Sequence, residues 1–492
     1  MTFNSLHFLL FLPIFIILYY VIPHKFRWLV LLIASYYAYM SYNPWLIFLI
    51  LATTIVSYLA GLFMPKIKNK AGKKALLWVT IIVCLGILIF FKYFNFLLGS
   101  AIRFLNLFSM NIKSVAFDII LPVGISFYTF QTLSYVIDVY REKFEPEKHF
   151  GYFALYVSFF PQLVAGPIER PEKLIPQLRE HHKLDANNLL AGLQLLLVGF
   201  FRKVVVADFC GVFVNNVFSD ITSANTLAIL VAGALFMVQL YCDFAGYSEI
   251  ALGAAKMMGI DLTQNFDRPF TATTVQRLMR RWHITLTSWF TDYVYIPLGG
   301  NRKGKVRQVL NVLVVYLLCG LWHGANWTFV LWGLYMWLFM FIEGLIKEPV
   351  RNFTKKRNID YHKPWIDVFR RIMVFMIAVF STFFFRAESL SHIGVIYKQL
   401  FTSFGFGLDY FKASLTTLGM NALDILEIAL ILVTMLKLYD FAYDRSFIKQ
   451  ADDNRKMFYR SVTIISSIVV IALGWFILIS NDSSSAFVYF QF

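Results

Sequence analysis

Between Cys319 and Gly333 the chain reads Cys-Gly-Leu-Trp-His-Gly-Ala-Asn-Trp-Thr-Phe-Val-Leu-Trp-Gly, which sets the imidazole of His323 inside hydrophobic sequence on both sides. An ionised side chain at bilayer depth costs at least about 2.5 kcal/mol on insertion scales, so an ionisable residue in such a run is a candidate functional group. Imidazole, with an ordinary pKa of about 6.5, is the side chain best matched to taking and returning a proton at neutral pH. Gly320 and Gly324 bracket His323 and allow another backbone or a ligand to come close. The alternative is a structural histidine that donates to a neighbouring carbonyl. A second histidine, His283, follows Arg280, Arg281 and Trp282, while His323 has Trp322 before it and Asn326 shortly after. Two imidazoles without a carboxylate at ligand spacing make a poor metal site, so no metal is expected.

A positioned base that removes a proton from an attacking hydroxyl or thiol typically accelerates transfer about 10²- to 10⁴-fold. Acyl transfer from a thioester suits such a base, because the donor is already activated and the site need only orient, deprotonate and stabilise an oxyanion. Arg280, Arg281, Arg302, Lys303 and Lys305 are placed to meet the phosphates of a coenzyme-A-type donor, unless they serve only to set topology. The chain has no G-x-S-x-G, G-x-x-x-x-G-K-[ST], G-x-G-x-x-G or H-E-x-x-H sequence. Serine-hydrolase, P-loop, dinucleotide and metalloprotease chemistry are therefore not expected.

The elements that must carry these residues belong to a membrane protein. Of the 492 residues, 59% are hydrophobic, 18% aromatic and only 15% charged. Apolar runs able to cross a hydrocarbon core of about 30 Å recur throughout, giving roughly ten to twelve candidate crossings. The runs are continuous rather than alternating, which predicts an all-α polytopic membrane protein and not a barrel. The net charge of +16 would point to nucleic acid in a soluble chain. Here Lys and Arg cluster in short loops between spans, which the positive-inside rule explains, so the partner is lipid and not nucleic acid. Cys84, Cys210, Cys242 and Cys319 all lie in apolar segments without a C-x-x-C pair, so neither a disulfide nor a thiolate metal site is expected. The opening Phe3, Leu6 and Phe8 lack a basic segment before them, and the first run is expected to be a retained helix.

Taken in order, apolar runs cover 6–22, 28–42 and 45–64, and Lys66, Lys68, Lys70, Lys73 and Lys74 then mark a cytoplasmic loop. Three crossings before that loop put the N-terminus outside. Residues 75–98 return outward and 99–117 are expected to form an outer loop. The stretch 121–140 is rich in hydroxyls and holds Gln131 and Asp138, so its polar groups face either a watery passage or a neighbouring helix. Residues 159–171 contain Pro161, Pro167, Pro171 and Gly166, which predicts a broken or re-entrant segment. Long apolar stretches follow at 186–219 and 225–260. The second holds Asp243 and Glu249, expected either to line a passage or to pair with Lys256 or a backbone donor.

Residues 265–305 interleave basic and apolar side chains, as expected of a segment lying at the cytoplasmic interface or dipping into it. The run 308–320 looks short for a full crossing. Residues 326–347 end on the basic cluster Lys347, Arg351, Lys355, Lys356 and Arg357. Runs at 372–385, 421–444 and 461–480 complete the bundle, with Arg445, Lys449, Arg455, Lys456 and Arg460 before the last, and the C-terminal tail outside. Without a repeat period, a low-complexity linker or a soluble insert, residues 1–492 read as one membrane domain, with a core over about 1–390 and further transmembrane helices over about 391–492.

Arg-Arg-Trp-His283-Ile-Thr-Leu, Tyr-Ile-Pro-Leu-Gly-Gly-Asn301-Arg302 and Gly-Leu-Trp-His323-Gly-Ala-Asn-Trp327 together resemble the paired signature of the membrane-bound O-acyltransferases, in particular the alginate O-acetyltransferase branch of bacteria. Pro122-Val-Gly-Ile-Ser-Phe-Tyr128, Val164-Ala-Gly-Pro-Ile-Glu-Arg170 and Asp243-Phe-Ala-Gly-Tyr-Ser248 are similar to its further blocks. Leu278-Met279 depart from the aromatic dipeptide expected there, and Asn265-Phe-Asp-Arg-Pro-Phe270 is a loose version of its block. The resemblance implies a bundle of tilted helices with re-entrant or interfacial helices, whose funnels meet at a central tunnel. It implies a catalytic His323, with His283 as a second polar position. Arg280, Arg281, Trp282, Asn301, Arg302, Trp322, Asn326, Gln131 and Asp243 would line the tunnel or hold the donor. It further implies acetyl-CoA as donor with no bound cofactor, a polysaccharide acceptor, a separate extracytoplasmic partner of the SGNH acyltransferase type, and a place in the bacterial inner membrane. Rival readings are D-alanyl transfer to teichoic acid from a carrier protein, which shares the histidines, and a transporter or flippase without covalent chemistry.

Overall fold

Hydrocarbon offers no partner to a backbone amide, so a chain of this composition can satisfy its peptide groups there only within helices. In the computed structural model, which describes residues 1–113, 115–357 and 363–443, all regular structure is helical. Seven of the described helices are long and apolar enough to cross a membrane: Pro44–Lys66, Lys70–Asn106, Ala186–Ser219, Thr226–Met257, Lys305–His323, Trp327–Lys356 and Pro364–Arg386. Leu408–Leu418 and Ala422–Leu432 form a pair bent by 73° that would add an eighth. The larger number expected from the sequence counted shorter runs, which fold as the helices Leu6–Val21, His24–Met40 and Ile125–Tyr140. The run 461–480 and the basic cluster before it lie outside the described residues.

Two boundaries differ from expectation. Residues 99–106 continue the Lys70–Asn106 helix instead of opening a loop, with the basic Arg103 in its last turn. The run 308–320 is the middle of the 19-residue helix Lys305–His323, about 28 Å long at 1.5 Å per residue and so long enough to cross. Its first turn is basic, which shortened the apolar run without shortening the helix.

The described residues fall into two compact units. In the first, Met1–Leu196 with Ile250–Thr263, the broken segment Phe159–Glu169 is buried throughout. Gln131 donates to the Tyr156 carbonyl at 2.6 Å, Gln162 donates to the same carbonyl at 3.1 Å, and the Tyr156 hydroxyl donates to the carbonyl of Glu169 at 3.0 Å. The Glu169 carboxylate accepts the Thr263 amide and, at 2.9 Å, its hydroxyl. Irregular backbone is thus covered by protein, as it must be at depth.

In the second unit, Leu197–Glu249 with Gln264 onward, five charged side chains are buried together. Lys203 donates to Asp208 at 2.8 Å and to Asp243 at 2.9 Å, and Arg202 pairs with Glu249. Both cations sit on the π turn Phe201–Ala207, whose wider winding places consecutive residues toward the Thr226–Met257 helix. Lys256, the expected partner of these acids, instead bonds Asp261 at 2.9 Å. Helices Lys305–His323 and Trp327–Lys356 meet backbone to backbone. A Cβ on Gly320 would lie 2.1 Å from the Phe329 carbonyl oxygen, and one on Gly333 would lie 2.2 Å from that of Tyr316.

Residues 264–304 enter this unit and leave again. Val275–Arg281 and Ile284–Phe290 are short helices separated by a bend at Trp282-His283, and a π turn over Thr291–Tyr295 leads to the loop before Lys305. Asn311 donates to the carbonyls of Leu298 at 3.4 Å and Gly300 at 2.9 Å, tying the returning strand of chain to the start of the Lys305–His323 helix. The His283 ring lies 5.5 Å from that of Trp322 at the far end of the same helix. The segment is thus partly buried within this unit, with Val275, Leu278, His283, Leu286 and Trp289 turned inward.

Two substitutions test this packing. Gly333→Val forces side-chain atoms into the Tyr316 backbone, where overpacking costs typically about 1–3 kcal/mol. It should lower the melting temperature of the detergent-purified protein, whereas Gly344→Ala, with nothing within 4 Å of its added Cβ, should not. Lys203→Met leaves Asp208 and Asp243 buried without their counter-charge, a change that costs about 3–5 kcal/mol. The partly exposed Lys256 should lose at most about 1 kcal/mol on the same substitution, so the two melting temperatures should separate clearly.

Candidate active site

His323 is the last residue of its helix, and Gly324 continues as extended backbone. Helix termination there follows from sequence: a Cβ on Gly324 would lie 2.1 Å from the Phe329 ring, and Asn326 caps the next helix by accepting from the Thr328 amide at 3.1 Å. The imidazole is buried and sits edge-on to Trp332 at 5.2 Å, with Trp322 at 5.1 Å and Phe385 at 5.3 Å between ring centroids. His323 faces a cavity of about 40 Å³. That exceeds the roughly 10–15 Å³ a single water needs. Phe244, Trp282, Trp332, Met336 and Phe385 supply most of its aromatic and sulfur wall. Ser381 and Thr382 also reach it, but their hydroxyls donate to the carbonyls of Ala378 and Val379 in their own helix, each at 2.7 Å.

His283 reaches this neighbourhood by an unusual backbone. Its φ of +46° and ψ of +56° lie in the left-handed region, where a non-glycine residue costs on the order of 1–3 kcal/mol and persists only when its surroundings fix it. Hydrogen bonds on both sides do so. The Asp267 amide donates to the Arg281 carbonyl at 3.0 Å, and the Ile284 amide donates to the Asn265 carbonyl at 2.9 Å. Phe244 packs edge-on against the imidazole, with centroids 4.6 Å apart and planes at 88°. Burial, and next the proximity of His323, hold the His283 imidazole well below the usual range, so it is neutral at physiological pH. A neutral imidazole both donates and accepts, which is what orienting a substrate or relaying a proton requires.

Of the residues singled out from sequence, His283, His323, Trp282 and Trp322 come together here. Arg280 is exposed one turn from the bend, and Arg281 donates to the Thr271 hydroxyl at 2.5 Å with Asp267 at 4.0 Å. Asn301 and Arg302 are exposed on the loop before Lys305. Asn326 serves its helix cap and donates to the Glu388 carbonyl at 2.9 Å, and it does not line the cavity. Asp243 turns to Lys203, leaving its neighbour Phe244 as the cavity residue. Gln131 belongs to the first unit and bonds Tyr156 there. The sequence motifs assign no site role to Phe244, Phe385, Asn265 or Glu343. The Glu343 carboxylate accepts the amides of Val275 and Gln276, each at 3.1 Å, and so caps the helix Val275–Arg281. Among the described residues no three or more His, Cys, Asp or Glu side chains converge as metal ligands would.

The arrangement offers a proton acceptor beside a small, largely apolar space, with a neutral second imidazole and exposed arginines nearby. Residues 148–385 match the membrane-bound O-acyltransferase family, and this span holds both histidines and the whole cavity. The chain is 36% identical to the probable alginate O-acetylase of Azotobacter vinelandii over 86% of its own length and 83% of the relative's. It is 33% identical to the probable alginate O-acetylase of Pseudomonas putida, with both chains covered in full. It is 32% identical to the peptidoglycan O-acetyltransferase of Helicobacter pylori over 74% of this chain and 71% of that one. A multi-pass helical protein that covers a relative end to end and keeps the site inside the matched span is an acyltransferase, and the chain belongs to the membrane-bound O-acyltransferase family.

Proposed function

We propose that the protein takes an acetyl group from acetyl-CoA at the cytoplasmic side of a bacterial inner membrane and passes it across for O-acetylation of an extracellular or cell-wall polysaccharide. The observation that carries this reading is the placement of a buried His323 on a largely apolar cavity of about 40 Å³, with His283 across the Trp322 ring from it. His323 acts as general base. It takes the proton of an acceptor hydroxyl as that oxygen attacks the thioester carbonyl, and returns it to the departing sulfur, leaving an ester and free coenzyme A. His283 orients the acceptor or relays the proton. Trp282 and Trp322 wall off water, which strengthens every electrostatic interaction inside. Arg280, Arg281, Asn301 and Arg302, on the segment that returns to the basic start of the Lys305–His323 helix, hold the donor's phosphates.

The names of the alginate and peptidoglycan relatives support a polysaccharide acceptor. A separate extracytoplasmic protein of the SGNH type then moves the acetyl group from that ester to a glycan hydroxyl, which breaks the first ester and frees the first acceptor's hydroxyl. The charge clusters around Lys66–Lys74 and Lys347–Arg357 support a reading in which those loops are cytoplasmic and both termini lie outside.

Cells lacking the gene, complemented at matched membrane expression, provide the test. Wild type should restore acetyl ester on the outer glycan, whereas His323→Ala should leave it at least about 10²-fold lower, the effect of a lost general base. Full restoration by His323→Ala would sink the assignment and favour a transporter, and D-alanyl ester in place of acetyl would favour the carrier-protein donor. The cavity's size sets a further expectation. A chain longer than acetyl meets Met237 and Met336, so Met336→Ala should raise butyryl-CoA use relative to acetyl-CoA by roughly 10-fold or more in vesicles.

A further inference from the structure

The bend that carries His283 is built around one buried side chain. Asn265 is 1% exposed. Its carbonyl accepts the amide of Ile284 at 2.9 Å, and its side-chain oxygen accepts both the Thr285 hydroxyl at 2.7 Å and the Thr285 amide at 3.3 Å. Its side-chain nitrogen donates to the Ser248 hydroxyl at 3.3 Å. The two residues immediately after His283 are thus both held by Asn265, and Asn265 is itself held by the Thr226–Met257 helix. Ser248 lies four residues beyond Phe244, on the same face of that helix. One helical face therefore packs Phe244 against the His283 ring and, through Ser248, fixes the amide group that holds the backbone following it.

We propose that Asn265 is a positioning residue for His283, the bridge through which Ser248 and Thr285 hold the left-handed turn that aims this imidazole at Phe244 and Trp322. An amide is the fitting side chain here. It must accept two hydrogen bonds at one oxygen and donate one from the other atom, and among neutral side chains only Asn has that pattern at this length. An aspartate, charged in water but neutral when buried without a cation, keeps the accepting oxygen and donates from its second oxygen to the Ser248 hydroxyl. A leucine of similar volume keeps the packing and loses every side-chain bond.

The test uses the full-length protein in lipid nanodiscs with its histidines labelled with ¹³C at Cε1, the His283 signal being assigned by its loss in His283→Gln. In Asn265→Leu the His283 signal should move by more than a linewidth, because the ring shifts against Phe244 and Trp322, while the other histidine signals stay. In Asn265→Asp it should remain at its wild-type position. An unmoved signal in Asn265→Leu, or an equal shift in both variants, would overturn the proposal. If Asn265→Leu yields no folded protein, Thr285→Val removes the 2.7 Å bond to Asn265 and keeps the amide bond, and it should shift the same signal in the same sense. No shift there counts against the proposal equally. The activity consequence rests on the role proposed above for His283: outer-glycan acetyl ester should fall at least about 10-fold in Asn265→Leu and be kept in Asn265→Asp, since misplacement by 1 Å can cost on the order of 100-fold. Full activity of His283→Gln would remove that catalytic role and leave the resonance result standing on its own.

Discussion

Every amide and every charge that this chain carries away from water must find its partner within the protein, because hydrocarbon supplies none. The second unit carries more of both than a plain helical bundle would. It holds two cations and three carboxylates among the Ala186–Ser219 and Thr226–Met257 helices, and it admits a segment with a bend at His283. The ion pairs and the bend are answered by the same helix. Asp243 and Glu249 turn to Lys203 and Arg202, while Phe244 and Ser248 turn to the segment that carries His283. A helix braced by buried charge is a rigid support for a strained residue, and removing the charge would leave an uncompensated acid in place of the brace.

The same constraint separates what the sequence revealed from what it concealed. His323 stood out because an imidazole is conspicuous in an apolar run, and Gly320 because glycine in such a run permits close approach. Both readings depend on one residue and its immediate neighbours. The broken segment around Gly166 was legible for the same local reason. Asp243 and Gln131 were conspicuous too, yet their polarity answers other groups in the protein and not the cavity. Their partners, Lys203 and Tyr156, lie 40 and 25 residues away, and no local pattern reports such a pairing. Asn326 looked like a site residue because it is polar and close to His323. Its position two residues before Thr328 makes it a helix cap, a role with its own spacing signature.

Helix boundaries failed in a systematic direction. A charged terminal turn shortens the apolar run without ending the helix, at Lys305 and Arg307 before 308–320 and at Arg103 within 99–106. The aromatic wall of the cavity failed for a different reason. Phe385 and Phe244 are two of 52 phenylalanines, and residue type cannot distinguish one that meets an imidazole from one that meets lipid.

The polar residues near the cavity also explain why chemistry concentrates on the imidazoles. Ser381 and Thr382 return their protons to carbonyls of their own helix. Asn311 bonds the carbonyls of Leu298 and Gly300, Asn326 and Glu343 cap helices, and Asn265 holds the His283 bend. Each of these side chains is committed to backbone, and Asn311, Asn326, Glu343 and Asn265 answer groups that a break in the helices would otherwise leave exposed to an apolar medium. Breaking helices is what brings His283 and His323 to one place, and every break demands a cap. The site is therefore made by a division of labour in which amides, hydroxyls and a carboxylate satisfy the backbone. Among the described residues lining the cavity, His323 is the titratable one, with His283 as its neighbour behind Trp322.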